Sequence, residues 1–199
     1  MKSLKKSFRI LITNHYSLFT EKGYTLVELL AVTSIIVIVS GLIVGILYST
    51  LRGGNKTRVT NDVAQNGNYA LSVIANTALN ADSITKVGGV DISDCTTLRS
   101  GTSIEFEQSD HSKVQFSCDA QTQSIASSSG STTTYLIDND SVKVDPATCT
   151  FSCLQKDSNP YSQPIINVSF TVSQRASTIG ENSANSPFNT SVTMRNFSP

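Results

Sequence analysis

Between Leu29 and Leu51 the chain carries no charged residue. Crossing the hydrocarbon core of a bilayer as a helix takes about 20 apolar residues, and this run of 23 meets that length. Basic residues flank it on both sides. Up to Gly23, Lys2, Lys5, Lys6, Arg9 and Lys22 stand against Glu21 as the sole acid, and Arg52, Lys56 and Arg58 follow the run. The larger basic excess on the N-terminal side predicts an N-terminus in the cytoplasm and an extracytoplasmic remainder. A cleaved secretory signal would have a shorter apolar region, about 7–15 residues, ending at an Ala-x-Ala type site. No such site follows the run, and no cysteine follows it where a lipoprotein signal would need one.

A plain membrane anchor leaves one residue unexplained. Glu28 opens the apolar run, five positions after Gly23, in the stretch "KGYTLVELL". A carboxylate at membrane depth costs several kcal/mol unless it has a partner. The stretch resembles the class III signal peptides of type IV pilins and of the pseudopilins of type II secretion and competence systems. The resemblance implies that a prepilin peptidase cuts after Gly23 on the cytoplasmic side and N-methylates Tyr24, the new first residue. Glu28 then matches the glutamate at the fifth mature position. The usual first residue of that family is Phe, and Tyr24 keeps the aromatic ring. Cleavage creates a cationic α-amine, and in a packed filament the amine of one subunit meets Glu28 of the next. Such a buried pair sets axial register.

The helix does not stop at the membrane. Gly41 and Gly45 have the GxxxG spacing that lets membrane helices approach closely, and Gly53-Gly54 predicts a joint just beyond the bilayer. Past it, Val59, Val63, Leu71, Ile74, Ala78 and Leu79 recur at steps of three and four, with Gly67 and Ala70 between. That periodicity predicts an amphipathic helix reaching about Ile84, ended by Gly88-Gly89. Its polar face is Asn, Gln, Asp and Thr, which disfavours a helix lying on a membrane or on DNA. The expected organisation is a leader over 1–23, a membrane or filament-core helix over 24–51, an amphipathic helix over 52–87 and a β-rich extracytoplasmic head over 88–199.

The head reads as short strands. "SIEFEQ" and "KVQFSC" predict one hairpin, "TTYLID" and "SVKVD" a second around "ND". "CTFSCL", "PIINVSFTVS" and "NTSVTMRN" complete it. This order, with a Thr-Ser-Val-x-x-Arg-Asn tail after the loop "RASTIGENSANSP", resembles minor pseudopilins of the J class. The fold class expected is α+β and pilin-like, a long N-terminal helix whose second half packs on an antiparallel sheet. The composition of "SSSGSTTT", Ser127 to Thr134, predicts disorder.

Cys95, Cys118, Cys149 and Cys153 all follow the apolar run. An even count beyond a membrane segment favours disulfides in an oxidising compartment; four reduced core cysteines are the alternative. On one straight strand Cys149 and Cys153 would sit roughly 13 Å apart, beyond the roughly 7 Å reach of a bridge. Either they pair across a turn or a strand sends them to different partners.

Enzymatic and metal chemistry find little footing. There is no Gly-x-Ser-x-Gly elbow, P-loop or dinucleotide fingerprint, and no zinc-like CxxC or histidine spacing. His111 falls in the first hairpin turn. "DND", Asp138 to Asp140, fails the EF-hand pattern because Val142 and Lys143 occupy the ligand and glycine positions, so it reads as a turn. From Tyr24 onward ten bases face fourteen acids, which gives no pull toward nucleic acid. No cofactor, metal or catalytic residue is expected. The resemblance implies a structural subunit, not an enzyme, with the prepilin peptidase, other pilins or pseudopilins and an inner-membrane assembly platform as partners. A tip-located adhesin or DNA-binding minor pilin is the alternative.

Overall fold

The computed structural model describes residues 23–138, 140–156, 159–175 and 184–197. The leader up to Lys22 and most of the loop before the C-terminal tail, 176–183, lie outside the described residues. The chain divides into two compact units at Ser49/Thr50. The first is the start of a single long helix, α1 (Leu26–Asn80). Its residues are exposed throughout, and an 18-residue window within α1 reaches a mean hydropathy of 2.7. The helix is therefore long and apolar enough to cross a membrane. It runs through Gly53 and Gly54 without interruption of its assignment. The Thr57 hydroxyl donates to the Gly53 carbonyl at 3.1 Å, so the expected joint is helical backbone.

The second unit holds the distal part of α1 and eleven strands. Val63, Gly67, Ala70, Ile74 and Ala78 form the buried line of the helix, flanked by half-buried Val59, Leu71 and Leu79. The spacing is that of one helical face. Small residues dominate it, so a strand side chain can reach the helix backbone. A Cβ at Gly67 would enter the ring of Phe188, and Phe188 in turn stacks on Phe170 with centroids 5.7 Å apart.

The helix ends at Asn80, four residues before the expected end at Ile84. The Asp82 amide already donates to Glu107 O at 2.9 Å, and β1 (Ser83–Val87) buries Ile84 and Val87. The β-branched run "SITKV" finds a sheet neighbour, and tertiary pairing overrides the helical continuation. Gly88-Gly89 does not end the helix. It turns β1 into β2 (Val90–Asp91), with φ of 62° and 79°, the two positive values a two-residue type I′ hairpin needs.

The first sheet has six strands in the order β2-β1-β4-β5-β6-β7, adding β4 (Ser103–Glu107), β5 (Lys113–Asp119), β6 (Ser124–Ser129) and β7 (Thr132–Tyr135). The first expected hairpin is β4–β5, with Ile104 opposite Phe116. The second is not formed. β7 folds back on β6, Ser129 opposite Thr132, while β8 (Val142–Val144) joins the other sheet beside β10, Val144 opposite Val172. Val142 and Val144 are buried there, whereas all four residues of β7 are exposed and suit an edge. The "SSSGSTTT" stretch is accordingly this hairpin and not disordered. Gly130, at φ 59°, occupies the first turn position, as a type II′ turn requires. Buried Ile125 and Ala126 anchor the strand before it.

The second sheet runs β11-β10-β9-β3, with β8 also on β10. Its strands are β3 (Arg99–Gly101), β9 (Thr150–Gln155), β10 (Pro164–Gln174) and β11 (Asn185–Thr193). The core fills with Phe106, Phe116, Phe151, Phe170, Ile74 and Ile166, all essentially without solvent access. This is an α+β arrangement of the pilin-like kind, the distal helix packed on antiparallel sheets.

The two disulfides fasten β9 and the residue just before it, Cys149, to segments outside its own sheet. Cys95–Cys153 joins β9 to the segment after β2, and Cys118–Cys149 joins the residue ahead of β9 to β5, with Cα separations of 5.8 and 6.1 Å. Cys149 and Cys153 thus go to different partners. Gln155, the residue that closes β9, is buried and fully used. Its Oε1 accepts from the Cys95 amide at 2.8 Å, and its Nε2 donates to the Pro160 and Ser162 carbonyls, each at 2.8 Å.

Two outcomes follow for stability. A Cβ at Gly101 would collide with the Gly88 backbone, so Gly101→Ala should cost about 1–3 kcal/mol in denaturant unfolding; an unchanged midpoint would contradict the packing. The Cys118–Cys149 bridge closes a sequence separation of 31, for which chain entropy gives about 4 kcal/mol. The double replacement Cys118→Ser/Cys149→Ser should lower stability by about 2–4 kcal/mol, and non-reducing peptide mapping should return only the two pairs above.

Candidate functional site

The residues singled out around Gly23 lie at the start of α1. Thr25 is its N-cap. The Thr25 Oγ1 accepts from the Glu28 amide at 3.2 Å, and the Thr25 carbonyl accepts from the Leu29 amide at 3.2 Å. Thr25-Leu26-Val27-Glu28 has the T-x-x-E form of a capping box, a signal legible in the sequence that the search for chemistry passed over. It gives Glu28 a local reason to be there, because a carboxylate in the first turn is favoured by the unpaired amides and the helix dipole.

Gly23 and Tyr24 sit ahead of the cap, outside the helix, and Tyr24 is 79% exposed. The bond between them is therefore free of helical hydrogen bonding. Peptidases bind extended backbone, so this bond can be reached without unwinding a turn. Tyr24 is not one helical turn below Glu28 on a straight helix, since the helix starts at Leu26. From Leu26 to Leu51 Glu28 is the only Asp, Glu, His, Lys or Arg.

Among the described residues the head gathers no second constellation. His111 stands exposed at the β4–β5 turn, φ 63°, with Nδ1 3.0 Å from Glu107 Oε1. Among the described residues no group of three His, Cys, Asp or Glu side chains is placed to hold a metal. Asp138 spends its carboxylate inside its own turn, accepting from the Asp140 amide at 3.1 Å and the Ser141 hydroxyl at 2.7 Å. Those hydrogen bonds hold its carboxyl below the ordinary value, the Ser141 hydroxyl first. Asp119 is lowered in the same way by Thr122. The turn does connect strands, but strands of different sheets; Asn139 lies outside the described residues. Lys86 and Lys113 both reach toward Glu105, at 3.8 and 3.7 Å, so the cations on that sheet face are already engaged.

Two clefts open on the head. One, about 180 Å³, is lined by Val59, Asp62, Asp140, Ser141, Val142 and Gln174. The other, of about the same volume, lies between Ile84, Asp94, Pro164 and Phe197. Both are smaller than the roughly 300–1,000 Å³ usual for small-molecule sites.

Comparison with protein families, with characterised sequences and with solved structures returns no match. The site is therefore read from its own geometry. The cap itself can be checked. Thr25→Ala should cost the helix start about 1 kcal/mol, seen as faster amide hydrogen exchange at Glu28 in detergent-solubilised protein. Unchanged exchange would show that the hydroxyl does not hold the first turn.

Proposed function

We propose that this protein is a pilin-like structural subunit, a minor pilin or pseudopilin, made with a leader that a prepilin peptidase removes after Gly23. The observation that carries the reading is the junction itself. An exposed, non-helical Gly23–Tyr24 bond is followed by a capped apolar helix, and Glu28 is the only acid in the 35 residues from Leu26 to Thr60. Once cut, the chain begins two residues before Leu26 and presents a methylated α-amine there. The amine of one subunit then neutralises Glu28 of its neighbour while the apolar segments pack side by side. Gly41 and Gly45 support that packing, because a Cβ at either would meet nothing within the molecule. Their smoothness serves a contact outside it.

In this reading the helix first holds the subunit in the inner membrane with its head outside the cytoplasm. It then passes into a filament of a type IV pilus or of a type II secretion or competence pseudopilus. The head is a displayed, disulfide-pinned surface, and the role is structural. The partners are the peptidase, the other pilins and the assembly platform.

Glu28→Ala tests the assembly step. Unpairing a buried ion costs roughly 3–5 kcal/mol, so incorporation into sheared filaments should fall by at least about tenfold, while membrane insertion and cleavage continue. Normal incorporation of the variant would overturn the reading.

A further inference from the structure

The second sheet ends in a long strand whose outer side is unused. β11 lies at the edge of that sheet, beside β10 alone. Its register sets which main-chain groups face outward. The Gln174 amide donates to the Ala184 carbonyl at 3.1 Å, and the Met194 amide to the Pro164 carbonyl at 3.3 Å. These two pairs bracket the ladder, and opposed residues of an antiparallel pair alternate between hydrogen-bonded and not. The even-numbered residues of β11 therefore bond to β10. Asn189, Ser191 and Thr193, opposite Ser169, Asn167 and Ile165, turn both N–H and C=O away from it. Among the described residues no hydrogen bond reaches the main chain of these three.

The stretch has defined ends. Two residues before Asn189 stands Pro187, which has no N–H to offer. Two residues after Thr193 the Arg195 amide is already taken by the Leu79 carbonyl at 3.4 Å. Between them the donor and acceptor recur unbroken at every second residue. The other sheet edges differ. β2 is two residues long. β3 is three, and its Gly101 lies against the Gly88 backbone. In β7, Thr132 closes the Gly130 turn opposite Ser129, which leaves Thr133 and Tyr135 alone to point outward.

A regular row of amides and carbonyls has one complement, the extended backbone of another strand. No charged residue occurs from Ala184 to Met194, so a charge on an added strand would find no opposite partner across it. On the inner side that strand would lie beside half-buried Thr190 and buried Val192, and on the outer side beside exposed Ser191. We infer that β11 accepts an extended, uncharged segment of another protein as an added strand, with apolar side chains on the Val192 side and polar ones on the Ser191 side.

The rival occupant is β11 of a second copy. The distal helix runs alongside β11 in the same direction, Gly67 at Phe188 and Leu79 at Arg195. Antiparallel pairing of two copies through β11 sets their distal helices in opposite directions, which the side-by-side packing proposed above does not allow. Parallel pairing sets the bonding residues of one strand against the non-bonding residues of the other, so two identical rows cannot meet by a twofold. The choice of another protein over a second copy rests on the proposed function; the edge itself does not.

The test uses the full chain in detergent micelles and a peptide of alternating Thr and Val, with lysines outside the alternating stretch for solubility. Amide hydrogen exchange is followed residue by residue. Unpaired edge amides exchange fast. With peptide at about ten times its dissociation constant, exchange at Asn189, Ser191 and Thr193 should slow about tenfold. Ser191→Pro removes the central donor at a position where an edge strand tolerates proline. It should abolish the slowing at Asn189 and Thr193 while both disulfide pairs are retained. Unchanged exchange at all three amides with millimolar peptide would overturn the inference. So would equal slowing with the same peptide N-methylated throughout its alternating stretch, or equal slowing at Thr133 and Tyr135. Slowing that grows with protein concentration in the absence of peptide would make the occupant a second copy and overturn it as well. N-terminal sequencing of the chain after co-expression with a prepilin peptidase separates the two readings. An uncut chain whose Ser191 amide slows with peptide upholds the edge and removes the filament.

Discussion

The head depends on one close contact, that of the Phe188 ring from the second sheet with the α1 backbone at Gly67. Gly67, Ala70 and Ala78 present little more than main chain along the buried line, so side chains from the strands reach down to the helix backbone, as the Phe188 ring does at Gly67. Phe188 fills the space that a side chain at 67 would take and passes the contact to Phe170. At the far end the Arg195 amide donates to the Leu79 carbonyl at 3.4 Å, giving the last turn a partner for one orphan acceptor. The C-terminal strand and the residues just after it thus touch the helix at Gly67 and at Leu79. Burial of a few large side chains from strands onto a face of small ones supplies the driving force.

The disulfides make sense within that arrangement. β9 lies inside the second sheet, between β3 and β10; one bridge leaves from it at Cys153 and the other from Cys149 just before it. A head with no tryptophan and much Ser, Thr and Asn on its outer faces has a modest core for its surface. Covalent ties from this strand and Cys149 to the segment after β2 and to β5 offset that shortage by restricting the unfolded chain. Gln155 does by hydrogen bonding what Cys153 does covalently, because it also joins β9 to Cys95.

Much of this was legible in the sequence, and for identifiable reasons. The apolar run and the 3-and-4 stripe gave the helix because burial and periodicity agree there. The alternation of "SIEFEQ" and "KVQFSC" gave β4–β5 because the hairpin is local. What was not legible was non-local. "SVKVD" pairs with β10, some thirty residues on, and nothing near Val142 announces it. Composition misjudged "SSSGSTTT" because a single glycine at a turn position outweighs a polar run when buried Ile125 fixes the register. Gly88-Gly89 was a true turn signal assigned to the wrong element. At the candidate site Gly23, Tyr24 and Glu28 were found through a resemblance, while the capping box at Thr25 needed only the spacing.

In the function we propose, the exposed Gly23–Tyr24 bond is a processing site and Glu28 awaits the amine its cleavage creates. Intact mass and N-terminal sequencing of the chain, isolated from membranes after co-expression with a prepilin peptidase, test it most directly. The account predicts a chain that begins at Tyr24 and carries one methyl group on its α-nitrogen. A chain still beginning at Met1, or one cut elsewhere, would contradict it.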